Sequence, residues 1–158
     1  MRAVAVIPGV PGSVEIVNVA TPEPGDGEVL VRTTRVGICG TDLEIAAAEY
    51  GRASAGEDRL ILGHEAIGEV VAFGGGAHSL RTGDFVVSSV RRPCPHDSCE
   101  PCRMNSNDMC VTGDFVERGI GGAHGFNAEC FVENERWLTQ IPAELGRCWS
   151  VTRAAERC

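Results

Sequence analysis

The chain has 158 residues, enough for one domain with a hydrophobic core and marginal for two; its 43% hydrophobic and 23% charged content is ordinary for a soluble globular protein. A formal net charge of −8 argues against nucleic acid or an anionic membrane as a partner, and all 14 basic residues are arginine. The apolar start from Met1 to Ile7 is broken by Pro8 and Gly9, too short for a secretory leader or a membrane span, and no later apolar run is long enough. A cytoplasmic protein is therefore expected, whose eight cysteines are metal ligands or free thiols rather than disulfides.

The front of the chain reads as β structure. Val14 to Val19 alternates apolar and polar residues, and Glu28 to Thr33 is a β-rich run, with the Pro22, Pro24, Gly25 and Gly27 breakers between them. Residues 41–49 predict a short helix, with Thr41 as its N-cap. Gly68 to Phe73 predicts a strand ending in Gly74-Gly75-Gly76, and Asp84 to Ser88 another, entered through a turn at Thr82-Gly83-Asp84. The triple glycine lacks the spacing of a phosphate loop and no helical pattern follows it, so a strand turn is expected there. Ala128 to Glu133 and Arg136 to Gln140 look like a final strand pair. Many short strands with frequent glycine turns predict a mostly β fold, an irregular barrel or sandwich.

Two separated motifs carry the chemistry. Cys39-Gly40-Thr41-Asp42 and Gly63-His64-Glu65 together offer a thiolate, an imidazole nitrogen and a carboxylate. A catalytic zinc needs about three protein ligands and one open position, so Cys39, His64 and Glu65 are the candidate set. If the segment is extended, Thr41 and Cys39 point to the same side. The Thr41 hydroxyl could then bond a zinc-bound alcohol oxygen and pass its proton outward. Asp42 is the candidate acceptor for the free ring N–H of His64, and Thr41 and Asp42 complete the catalytic set. A second cluster, Cys94, Cys99, Cys102 and Cys110, has the makings of a closed site that only holds a loop.

Gly37-Ile38-Cys39-Gly40-Thr41-Asp42 and Gly63-His64-Glu65-Ala66-Ile67-Gly68-Glu69-Val70-Val71 resemble the two catalytic-zinc motifs of the zinc-dependent medium-chain dehydrogenases. Gly83-Asp84-Phe85-Val86 resembles that family's G-D-x-V strand. The resemblance covers residues 1–146. It implies a GroES-like irregular β-barrel with a zinc-bound loop at about 91–112, the catalytic domain that precedes a Rossmann domain. In the family a lobe is pinned by four cysteines spaced C-x2-C-x2-C-x7-C. Cys99, Cys102 and Cys110 match its last three ligands, whereas Cys94 lies further upstream and His96 takes the expected position. The fourth ligand is therefore Cys94 through a longer loop or His96, with Cys94 favoured because four thiolates are commonest in this lobe.

Thr112 to Ile120, with Glu117-Arg118-Gly119-Ile120, followed by His124-Gly125-Phe126, resembles the glucose dehydrogenase branch. There Glu117 would accept hydrogen bonds from sugar hydroxyls, and Thr41 would meet the same substrate. The implied reaction oxidises D-glucose or another aldose at C1 to the lactone, with zinc as a Lewis acid and hydride passing to NAD or NADP. Another zinc alcohol or polyol dehydrogenase, or a non-catalytic zinc-binding interaction module, is the alternative. Full-length relatives are expected to be homo-oligomeric. His78, Arg91 and Arg92 read as surface residues and Cys130 as core.

Beyond Gly146 the family's E-P-L motif, whose Glu helps hold the catalytic zinc, has no counterpart. Three of the 14 arginines and two of the eight cysteines fall from Arg147 onward. A frameshift or truncation near Arg147 is expected, with 147–158 an aberrant or disordered tail. No residue of the chain is expected to bind the nucleotide, so the isolated chain is expected to show weak or no dehydrogenase activity.

Overall fold

In the structure, a computed structural model, residues 1–148 are described; the expected aberrant tail lies, beyond Cys148, outside the described residues. Short strands dominate and form three sheets. In the first, β1 (Arg2–Val6) lies between β2 (Glu15–Asn18) and β4 (Leu60–Ile61). The second and largest is antiparallel, in the order β10 (Cys130–Asn134), β3 (Glu28–Val36), β5 (Ala66–Phe73), β6 (Phe85–Ser88), β11 (Leu138–Ile141). The third joins β7 (Arg91–Arg92), β8 (Val116–Arg118) and β9 (Gly122–Ala123). The helices are short: α1 (Gly40–Ala46), α2 (Glu100–Arg103) and α3 (Ala143–Cys148). The mostly β expectation holds, but among the described residues no sheet closes into a barrel. No helix among them is long and apolar enough to cross a membrane.

The period-two pattern explains the large sheet. Val29 and Val31 of β3, Val70 of β5 and Val86 of β6 are fully buried, and pack with Leu80, Phe126 and Phe131 into one core cluster. Side chains of this size each contribute about 1.5–3 kcal/mol when fully buried. A second cluster joins the first sheet to α1 through Val6, Leu60, Leu62, Ile45 and Ile120. The two expected final strands do not pair with each other. β10 lies along β3 and β11 along β6, at opposite edges of the sheet, with the 3-10 turn at Glu135–Trp137 between them in sequence. The triple glycine is a strand turn: Gly27 N–H donates to Gly75 O at 2.8 Å and Gly74 N–H to Glu28 O at 2.9 Å.

Three further expectations are corrected. His78 is no surface residue: its side chain is 9% exposed, packs against the Phe73 ring at a tilt with centroids 4.8 Å apart and meets Glu135 Oε2 at 2.6 Å. Arg91 and Arg92 are largely covered, because β7 turns both toward carboxylates, Glu117 and Glu133. Cys130 is only half-buried, since on β10 the inward positions fall to Phe131 and Glu133 instead.

Candidate active site and metal centres

The β3–β5 pairing builds the first site. Val36 at the end of β3 lies opposite Ala66 at the start of β5, and Gly37 N–H donates to Glu65 O at 2.8 Å. A residue past the end of one strand therefore faces a residue before the start of the other. Cys39 Sγ stands 3.1 Å from His64 Nε2, although 25 positions separate them. Glu65 completes the group, and the ligand atoms of all three lie within 4.8 Å of one another.

Two glycines make this possible. Gly63 has φ +93°, a left-handed conformation that L side chains rarely adopt, and a Cβ there would stand 2.3 Å from Asn127 Oδ1. A Cβ on Gly37 would stand 2.2 Å from Glu65 Oε2, so that glycine leaves the space the carboxylate occupies.

The helix after Cys39 corrects the expected extended stretch. α1 begins at Gly40 with Cys39 as its N-cap, so Thr41 is the second helical residue, half-buried, and does not cap. Asp42, three residues beyond Cys39, is 4% exposed; its Oδ2 accepts the Cys39 N–H at 2.9 Å. Its Oδ1 lies 3.7 Å from His64 Nδ1, and both atoms are buried without a hydrogen-bond partner. The ring is thus aimed with Nε2 at the thiol and Nδ1 at the carboxylate.

A divalent zinc fits this donor set: one sulphur, one imidazole nitrogen and one carboxylate oxygen converge, and the ring's other nitrogen faces an acid that can orient it. A cavity of about 380 Å³ adjoins the site, bordered by Arg35, Gly37, His64, Glu65, Ile67 and Ser88. The roles of Arg35 and Ser88 as walls escaped the sequence, because only the β3–β5–β6 register sets them beside His64. Arg35 Nη1 also donates to Gly146 O at 2.8 Å, tying α3 to the same wall.

The cysteine lobe is separate. Cys99 caps α2 with Pro101 in the helix's first turn, Cys102 lies inside the helix, and a 3-10 turn at Asn107–Met109 delivers Cys110. Together with Cys94 their sulphurs lie within 4.8 Å of one another, three of the four residues being buried. His96 is outside this group. Its ring is turned outward, with Nε2 2.5 Å from Asp114 Oδ2, so the geometry gathers Cys94 rather than His96.

The thiols divide the charge unequally. A hydrogen bond from Thr112 holds Cys110 down at about 6. At Cys102 a backbone hydrogen bond from Cys94 acts downward, yet burial and the neighbouring sulphurs push it up to about 12. One divalent cation among the four would let all of them ionise, which is the chemistry of a closed four-thiolate site.

Glu117 is in neither cluster. It lies on β8 opposite Arg91, whose Nε and Nη2 donate to its Oε1 at 3.1 and 2.8 Å. Its segment nevertheless touches the first site: a Cβ on Gly119 would stand 2.2 Å from the carbonyl oxygen of Gly63, the residue before His64.

Fold and sites together define a GroES-like domain with one open and one closed metal-donor set. The chain belongs to the alcohol dehydrogenase GroES-like domain family, which matches residues 25–143. It is 45% identical to the glucose 1-dehydrogenase of Methanocella arvoryzae over 145 residues, covering 92% of this chain and 40% of that protein. It is 46% identical to the glucose 1-dehydrogenase of Thermoproteus tenax, with the same coverage. Among solved structures it is similar to Haloferax mediterranei glucose dehydrogenase in complex with NADP, Zn and gluconolactone. That match has a TM-score of 0.83 and 42% identity, and covers 94% of this chain and 41% of the other. The chain thus spans about two-fifths of the length of these relatives.

Proposed function

We propose that this domain is the substrate- and metal-binding part of a zinc-dependent, NAD(P)-linked dehydrogenase that oxidises D-glucose, or a close aldose, at C1 to the lactone. The observation that carries the reading is the convergence of Cys39, His64 and Glu65 beside a cavity, in a chain about 45% identical to glucose 1-dehydrogenases. The Haloferax structure, with its NADP and gluconolactone, supports a nicotinamide acceptor and a sugar product.

Zinc held by Cys39, His64 and Glu65 would supply Lewis acidity toward the sugar hydroxyl. The chain's own groups do the rest. Asp42 faces Nδ1 of the His64 ring with one oxygen, placed to orient it, and accepts the Cys39 backbone N–H with the other. Thr41, half-buried in the first turn of α1, relays the hydroxyl proton outward. Glu117 accepts from sugar hydroxyls through Oε2, the oxygen that Arg91 leaves without a donor. Cys94, Cys99, Cys102 and Cys110 hold a second zinc that braces the lobe. Thiol-based metal chemistry of this kind suits a reducing cytoplasm, and the partner is a small sugar rather than nucleic acid or a membrane.

The test is direct. D-Glucose is titrated into the zinc-loaded protein and followed by NMR, beside Cys39→Ser and Glu117→Gln variants, with zinc content measured on each. Saturable binding that both variants weaken supports the reading. Binding indifferent to Cys39 and Glu117, or none at all, sinks it.

A further inference from the structure

Arg91 touches more of the molecule than a surface arginine would. Its side chain is 25% exposed and lies over the Phe115 ring at 4.0 Å. Nε and Nη2 both converge on Glu117 Oε1. The third nitrogen, Nη1, donates to the backbone oxygen of Asp108 at 3.1 Å, and the Arg91 backbone oxygen accepts from Asn107 Nδ2 at 3.4 Å. Asn107 and Asp108 belong to the 3-10 turn that delivers Cys110 to the cysteine lobe. One side chain thus grips the Cys110 turn at one end and Glu117 at the other.

We propose that Arg91 is a positioning residue that couples the closed cysteine lobe to the Glu117 carboxylate. The inference rests on the sugar reading for what Glu117 contacts. Two donors on Oε1 fix the plane of the carboxylate and leave Oε2 for a hydroxyl. Because Nη1 is anchored on Asp108 O, the guanidinium can hold that plane only while the lobe keeps its shape. By linkage, ligand binding at Glu117 then raises the lobe's affinity for metal, read as slower release, and metal loss weakens ligand affinity by the factor that the ligand adds to metal affinity.

The experiment uses the zinc-loaded chain with D-glucose as the probe and two readouts. NMR titration gives glucose affinity; transfer of zinc to a colorimetric chelator gives release from the cysteine lobe, identified as the phase that His64→Ala leaves in place. Arg91→Met is expected to bind glucose about tenfold more weakly, a loss of ~1.4 kcal/mol, and to lose the slowing of zinc release that glucose gives the wild type. Arg91→Lys, which keeps the charge but not the fork, falls between them and serves where the Met variant fails to fold.

If Arg91→Met binds glucose as tightly as the wild type and releases zinc at the same rate, the coupling is wrong while the sugar reading stands. If the wild type binds no glucose, the sugar reading fails and zinc release alone decides. Faster release in both Arg91→Met and Glu117→Gln, with no further effect when combined, retains the link; unchanged or additive rates remove it.

Discussion

Glu133 offers a sharp test of how the lobe is fastened to the large sheet. It is 4% exposed, on the inward face of β10, with two guanidiniums against it. Arg92 Nη2 donates to Oε2, Arg118 Nη1 stands 3.6 Å from the same oxygen, and Ser88 Oγ donates to it at 3.3 Å. Burial already pulls the Arg118 guanidinium below its ordinary value, with Glu133 opposing that shift. Glu133→Gln keeps the volume but leaves two largely covered cations facing each other without their anion. Breaking a buried pair this way costs about 3–5 kcal/mol. For a chain of this size, that predicts a fall in Tm of roughly 6–20 °C. Thermal melts followed by circular dichroism at low and high salt measure it, and added salt should recover little because the pair is shielded from solvent. A fall under ~2 °C, or full recovery in salt, would refute the reasoning. Replacing all three charges together (Arg92→Leu, Arg118→Met, Glu133→Leu) should recover most of the loss, since apolar groups can substitute for a buried ionic cluster.

Cys94→Ser should lower zinc content by one ion per chain and unfold the lobe, whereas His96→Ala should leave content unchanged; metal analysis separates the two, and the reverse pattern would make His96 the ligand. Gly37→Ala drives a methyl into Glu65 Oε2, so zinc affinity at the first site should fall about tenfold or more while the cysteine lobe keeps its ion, as competition with a chelator would show. Burial raises the Glu135 carboxyl, yet hydrogen bonds from Ser79, His78 and Leu80 outweigh it and hold the group at about 2, against an ordinary 4.5. The folded protein binds this proton less readily than the unfolded chain does. The contribution is therefore complete above about pH 4.5 and is lost as pH falls from there toward 2. Glu135→Gln should flatten that part of the acid-unfolding curve, and an unchanged curve would show that the hydrogen bonds do not set the value.

The residues of both candidate metal-donor sets were legible in the sequence because ligand chemistry restricts residue types: thiolate, imidazole and carboxylate are few, and their spacing stands out against a chain with four histidines. The strands were legible for a similar reason, since half-buried β structure repeats every two residues, as Val29 and Val31 show. Caps and pairings were not. Thr41 reads as a better N-cap than Cys39 by side chain alone, but the cap falls where β3 ends and α1 begins, which packing decides. β10 and β11 look like a hairpin in sequence, yet hydrogen bonding to β3 and β6 separates them.

The order of residues supplies an inventory: which groups can hold metal, accept a sugar hydroxyl or fill a core. Folding chooses which of them meet. Cys94 rather than His96 joins the lobe because the loop turns the imidazole out to Asp114. Arg91, Arg92 and His78, unremarkable as letters, become covered partners of Glu117, Glu133 and Glu135. The physical reason is that a charge's role depends on the few ångströms and the dielectric around it, and chain folding alone sets both.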